Sequence, residues 1–185
     1  MVSLAALWLP ILLAAVFVFI ASSIIHMVLP YHRSSYRKID NEDSVRAAIR
    51  ASNPSPGLYN LPHCTHKDMN TPETKAKFAE GPVGHLIILP NGTVKLGKFL
   101  GLWFVFCLIV GLFSAYLAAH VINIGAPYRH VFSIIGTAAF LAYGVGGLAN
   151  GIWKGIPWKM VLLEAFDGLI YALLTAGTFG WLWPR

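Results

Sequence analysis

Residues 4–29 read LAALWLPILLAAVFVFIASSIIHMVL, and from Met1 to His32 there is no acidic residue, lysine or arginine. About 20 apolar residues carry an α-helix across about 30 Å of hydrocarbon at 1.5 Å per residue, so this run reads as a transmembrane helix within 1–30. It lacks the basic start of a secretory signal and is expected to stay as an uncleaved anchor, although Ala21-Ser22-Ser23 has the small side chains of a cleavage site. Working outward, three more apolar runs follow at 99–124, 130–150 and 160–183. They are separated by Gly125-Ala126-Pro127 and by a turn containing Gly151, Gly155 and Pro157. The expected fold class is an all-α transmembrane bundle of four helices, with a small α+β loop domain at 31–98 between helices one and two.

Composition points the same way. The 185 residues are 56% hydrophobic and only 12% charged, with a mean hydropathy of +0.62; a soluble domain carries about 25% charged residues. The net charge of +6 would suggest nucleic acid in a soluble protein, but 10 of the 14 Lys and Arg residues lie between His32 and Phe99. With Lys154 and Lys159, 12 of the 14 fall on one side of a four-span plan. The positive-inside rule then places the long loop in the cytoplasm and both termini outside. Trp8, Trp181 and Trp183 fall at the outer boundary and Trp103, Trp153 and Trp158 at the inner one, as an aromatic belt would. Cys64 lies in the loop and Cys107 in an apolar helix, so no disulfide framework is implied. No Gly-rich phosphate loop, serine hydrolase elbow, acidic two-metal set or basic-aromatic surface is present, and nucleic acid is excluded as a partner.

Within the helices, Gly111, Ala115 and Ala119 recur every four positions, and Gly136, Gly144 and Gly147 notch the third run. Such faces let backbones approach closely, within one chain or between copies. In the loop, Asn41 is positioned to cap a helix through Ala51, and Gly57 to Pro62 reads as a short strand. Thr71-Pro72-Glu73 opens a second helix that Gly81 ends. Leu86–Leu89, Asn91-Gly92 and Thr93–Leu96 read as a β-hairpin. The triplet Asn91-Gly92-Thr93 also matches a glycosylation sequon, which a cytoplasmic loop would not use.

Ionisable residues at membrane depth are costly and are functional hypotheses by default. Glu164 and Asp167 sit three apart on one helical face with Tyr171 a turn further on. His26 and Asn150 fall at a similar depth, giving a candidate polar cluster of His26, Asn150, Glu164, Asp167 and Tyr171. It reads as an ion, proton or carboxylate–histidine metal site, or as an internally paired cluster that fixes helix register. Asp167 is expected to face the interior and pair with His26, Asn150 or a buried water, because an unpaired carboxylate facing lipid costs several kcal/mol. His63, Cys64 and His66 form a second metal candidate, with His85 or His32 as a fourth ligand, although the spacing is not that of a zinc knuckle and ordinary loop residues are the better reading. His120 and His130 flank the short outer turn, where water or headgroups satisfy them better than a haem would.

At Ser23-Ile24-Ile25-His26-Met27-Val28-Leu29-Pro30-Tyr31-His32-Arg33-Ser34, and again at Phe166–Tyr171 and Thr178–Trp181, the chain resembles a family of uncharacterised bacterial four-span inner-membrane proteins of unknown function. The resemblance runs nearly end to end and implies a bacterial inner-membrane location and the same four-span plan. It brings no activity, substrate or cofactor. The expected function is an accessory, assembly or structural component bound to the lipid bilayer and to another membrane protein or itself. The alternatives are an ion- or proton-coupled transporter using Glu164 and Asp167, and a metal-dependent membrane enzyme using the loop histidines and cysteine. For the orientation, a thiol reagent added from outside should label an Ala126→Cys variant and spare Ser55→Cys; the opposite pattern overturns the cytoplasmic assignment of the loop.

Overall fold

The computed structural model describes residues 2–93 and 95–185. The chain is 68% helical and has four helices long and apolar enough to cross a membrane, together with a two-stranded sheet. It divides into two compact units, Met1–Ser35 with Lys95–Arg185, and Tyr36–Val94.

In the first unit, a 3₁₀ turn at Leu4–Leu7 leads into α1 (Trp8–Met27). A second 3₁₀ segment, Pro30–Ser35, follows it. In the second unit lie α2 (Glu42–Ala51), β1 (Gly57–Leu61), α3 (Pro72–Glu80) and β2 (Gly84–Ile88). The chain returns through α4 (Leu96–Val121) and α5 (Tyr128–Tyr143), then a 3₁₀ turn at Val145–Gly147, α6 (Leu148–Trp153) and α7 (Trp158–Leu182). Two helices therefore begin earlier than the hydropathy pattern predicts, at Leu96 instead of Phe99 and at Trp158 instead of Met160. The third run is not one helix to Asn150, because regular α geometry stops at Tyr143.

α1 packs on α4 and α7, and α5 packs on α4 and α7. Where these helices meet, the side chains are small. Gly111, Ala115, Ala118 and Ala119 are buried on α4, and a Cβ on Gly111 would lie 3.4 Å from Ile11. A Cβ on Gly136 would lie 3.2 Å from Ala176. The closest approach is Gly168 of α7 against Gly144, where an added Cβ would stand 2.6 Å from backbone atoms. Gly147 meets nothing and is no notch. Between α1 and α4 the indole of Trp103 donates to Ser22 Oγ at 2.8 Å, and Ser22 in turn donates to the Phe19 carbonyl. Trp103 is thus half-buried between helices. Trp183 is 5% exposed and donates to the Asn123 carbonyl at 3.0 Å.

In the second unit, Thr71 Oγ1 accepts from the Thr74 N–H, Pro72 occupies the first turn of α3, and Gly81 ends it at φ +70°. Asn41 sits in the left-handed region without a side-chain cap to the backbone of α2; its Oδ1 accepts from the Ser44 hydroxyl instead. β2 pairs antiparallel with β1 in the register Gly57↔Ile88 to Leu61↔Gly84. This corrects the expected hairpin across Asn91-Gly92: the partner of β2 is the earlier strand, and Leu96 already belongs to α4. The expected second strand includes Val94, which lies outside the described residues.

A Gly168→Ala substitution forces backbone against backbone and should destabilise the folded chain by about 1–3 kcal/mol. Gly97→Ala, with nothing within 4 Å, should cost nothing measurable. Detergent-titrated unfolding of both variants checks the pair.

Candidate functional site

α1 closes with the Val28 and Leu29 N–H groups both donating to the Ile24 carbonyl. Pro30 cannot donate a backbone hydrogen bond and does not extend the helix. The chain instead tightens into the 3₁₀ segment Pro30–Ser35, which packs on α7. That fold-back brings Tyr31 and His32 to Asp167, about 14 Å along α7 from Trp158.

Asp167 is 2% exposed, and each of its oxygens has a partner. The Tyr31 hydroxyl donates to Oδ1 at 2.5 Å. His32 Nε2 lies 2.6 Å from Oδ2, the position of a donor to an ionised carboxylate. His26 Nε2 stands 4.0 Å from the same oxygen, and its side chain is half exposed. The rings of His26 and His32 pack with centroids 4.6 Å apart, and those of Tyr31 and His32 at 4.5 Å. One more polar contact ties the turn to α7: Lys159 Nζ donates to Ser34 Oγ at 3.3 Å. Below Asp167, Tyr171 packs its ring against Trp103 and Tyr143 and brings its hydroxyl to 3.5 Å from His26 Nε2.

Burial, the hydrogen bond to Asp167 and the charge of that carboxylate, in that order, push the Tyr31 hydroxyl above its ordinary pKa. It stays a donor across the physiological range.

Of the five residues expected to form the polar cluster, the structure brings together His26, Asp167 and Tyr171. Asn150 is not among them: its backbone carbonyl accepts from the Lys154 N–H, and its side chain takes part in no hydrogen bond among the described residues. Glu164 lies on α7 three residues before Asp167, without a hydrogen bond or ion pair of its own among the described residues. The partners that sequence reasoning missed are Tyr31 and His32. Their signal was Pro30, which turns the chain just where α1 must end.

His26, His32 and Asp167 each offer one ligand atom, all within 4.8 Å of one another, so the three are able to hold a metal ion. The loop candidates His63, Cys64 and His66 make no such group among the described residues. Cys64 and His66 do line one pocket with His85, but His85 Nδ1 is engaged by Asn60 Oδ1 at 2.8 Å. His120 Nδ1 donates to the Tyr116 carbonyl within its own helix. No family model, curated protein or solved structure matches this chain.

Removing the Tyr31 donor should cost about 1.5–3 kcal/mol, the range for hydrogen bonds to charged groups. Because the folded pKa of Tyr31 is raised, its contribution is fully present below the free tyrosine value of about 10 and lost as pH rises through the folded value. The stability gap between wild type and Tyr31→Phe should therefore be constant from pH 6 to pH 9 and shrink only at higher pH, as followed by unfolding monitored by circular dichroism.

Proposed function

We propose that this is a non-enzymatic bacterial inner-membrane protein whose four long helices form one bundle, with residues 31–98 cytoplasmic and both termini outside. It serves as an accessory or assembly component for another membrane protein or for a second copy of itself. The observation that carries this reading is how Asp167, the one deeply buried carboxylate among the described residues, is used. Both oxygens of Asp167 bind the turn Pro30–Ser35, from which the chain runs directly into the loop unit. The polar groups of the apolar region thus fix the root of the loop, and neither oxygen of Asp167 is left without a partner. The concentration of 12 of 14 basic residues on one side supports the orientation.

A second reading, an ion- or proton-coupled carrier, draws on the half-exposed His26 lying 4.0 Å from the buried Asp167. An exposed imidazole beside a buried carboxylate is a possible first step of a proton path, with Glu164 one turn away on α7.

Purification under native conditions followed by mass spectrometry separates the two. The accessory reading expects a stoichiometric membrane partner or a defined oligomer, retained less well by a His32→Gln variant that loosens the loop root. A lone monomer whose proteoliposomes carry a cation flux abolished by Asp167→Asn would replace it with the carrier.

A further inference from the structure

We propose that His26, His32 and Asp167 form a binding site for one divalent transition-metal ion of the zinc class. The donor set is two imidazole nitrogens and one carboxylate oxygen. Such borderline ligands select Zn²⁺, Fe²⁺, Co²⁺ or Ni²⁺ over Mg²⁺ and Ca²⁺, which take oxygen alone.

The spacing fits. Bonds of about 2.0–2.1 Å set tetrahedrally place neighbouring ligand atoms about 3.3–3.4 Å apart. The nitrogens stand 2.6 Å (His32) and 4.0 Å (His26) from Asp167 Oδ2, on either side of that separation. Entry of the ion opens the first distance and closes the second, each by less than about 1 Å, well within what rotation of an imidazole supplies. The hydrogen between His32 Nε2 and Asp167 Oδ2 gives way to the ion: on the neutral imidazole it moves to Nδ1, which frees the Nε2 lone pair to ligate.

The surroundings are those of a supported site. Tyr31 donates to Oδ1, which leaves Oδ2 as the ligating oxygen and fixes the plane of the carboxylate. Asp167 is buried and the His32 side chain is 15% exposed, while His26 is half exposed and marks the way in. Three protein ligands leave one position of a tetrahedral ion for water or a small donor on that open side. Glu164, one turn earlier on α7, adds negative charge nearby. The ligands come from α1, from the turn that follows it and from α7, so an ion would join the two helices.

The test uses the full chain in lipid nanodiscs, stripped with a chelator and titrated with Co²⁺ alone, then with Zn²⁺. The expected result is one Co²⁺ per chain with visible d–d absorption, displaced by Zn²⁺. His26→Gln keeps the Tyr31–Asp167–His32 contacts and so keeps the fold, and it should weaken Co²⁺ binding at least 10-fold; Asp167→Asn and His32→Gln should do the same or more. Tyr31→Phe should weaken it about 10-fold by freeing the carboxylate. A Cys64→Ser, His66→Ala double variant should bind as the wild type does. The proposal is overturned if the folded wild type takes up no Co²⁺, if His26→Gln binds with unchanged affinity, or if the loop double variant is the one that loses the ion.

Discussion

A carboxylate seated in an apolar helix must find donors inside the protein, because hydrocarbon has none to give. Asp167 finds both in a single six-residue turn, Tyr31 on one oxygen and His32 on the other. That requirement fixes the rotation of α7 about its axis and the place where α1 stops. Satisfied in this way, the buried charge becomes a positional constraint that apolar packing alone would not impose.

The remaining contacts between long helices follow from the same solvent. Lipid tails are as apolar as leucine, so no hydrophobic force sorts one helix against another, and close backbone approach with interhelical hydrogen bonds takes over. Small residues do this work at Gly111, Ala115 and Ala119 on α4 and at Gly136 on α5. Ser22 and Trp103 supply the polar link between α1 and α4. Around the buried end of that link the rings of Trp103, Tyr143 and Tyr171 meet edge-on or tilted, at centroid distances of 5.7–6.3 Å.

Much of the helical architecture was legible in the sequence because apolar runs of bilayer length have few other uses. The interior position of Asp167 was legible for the same reason, since a carboxylate that deep has to be buried. Its proximity to His26 was legible too, at 4.0 Å, but its two hydrogen-bond partners were not. Counting depth at 1.5 Å per residue pairs Asp167 with His26 and Asn150, but the arithmetic holds only along an uninterrupted helix, and the chain doubles back after Leu29. Tyr31 and His32 lie beyond that bend, so linear depth puts them outside. The hairpin failed for a related reason: Asn91-Gly92 is a strong local turn signal, yet β2 is satisfied by Gly57–Leu61, a long-range pairing that no local rule reveals. The long-range partners of the Trp103 and Trp183 indoles, Ser22 and the Asn123 carbonyl, likewise leave no local signal.

The third apolar stretch, Tyr128–Trp153, is assembled from pieces. α5 has 16 residues, about 24 Å of helix, which is less than the thickness of the hydrocarbon. The remaining length comes from the 3₁₀ turn at Val145–Gly147 and from α6, and at the joint the Gly144 N–H still donates to the Phe140 carbonyl. Here the bare backbone of Gly168 lies flat against Tyr143 and Gly144. The absent side chain is a socket: it lets α7 close directly on the joint between α5 and the 3₁₀ turn, so the interruption of regular helix becomes the place where two helices lock together.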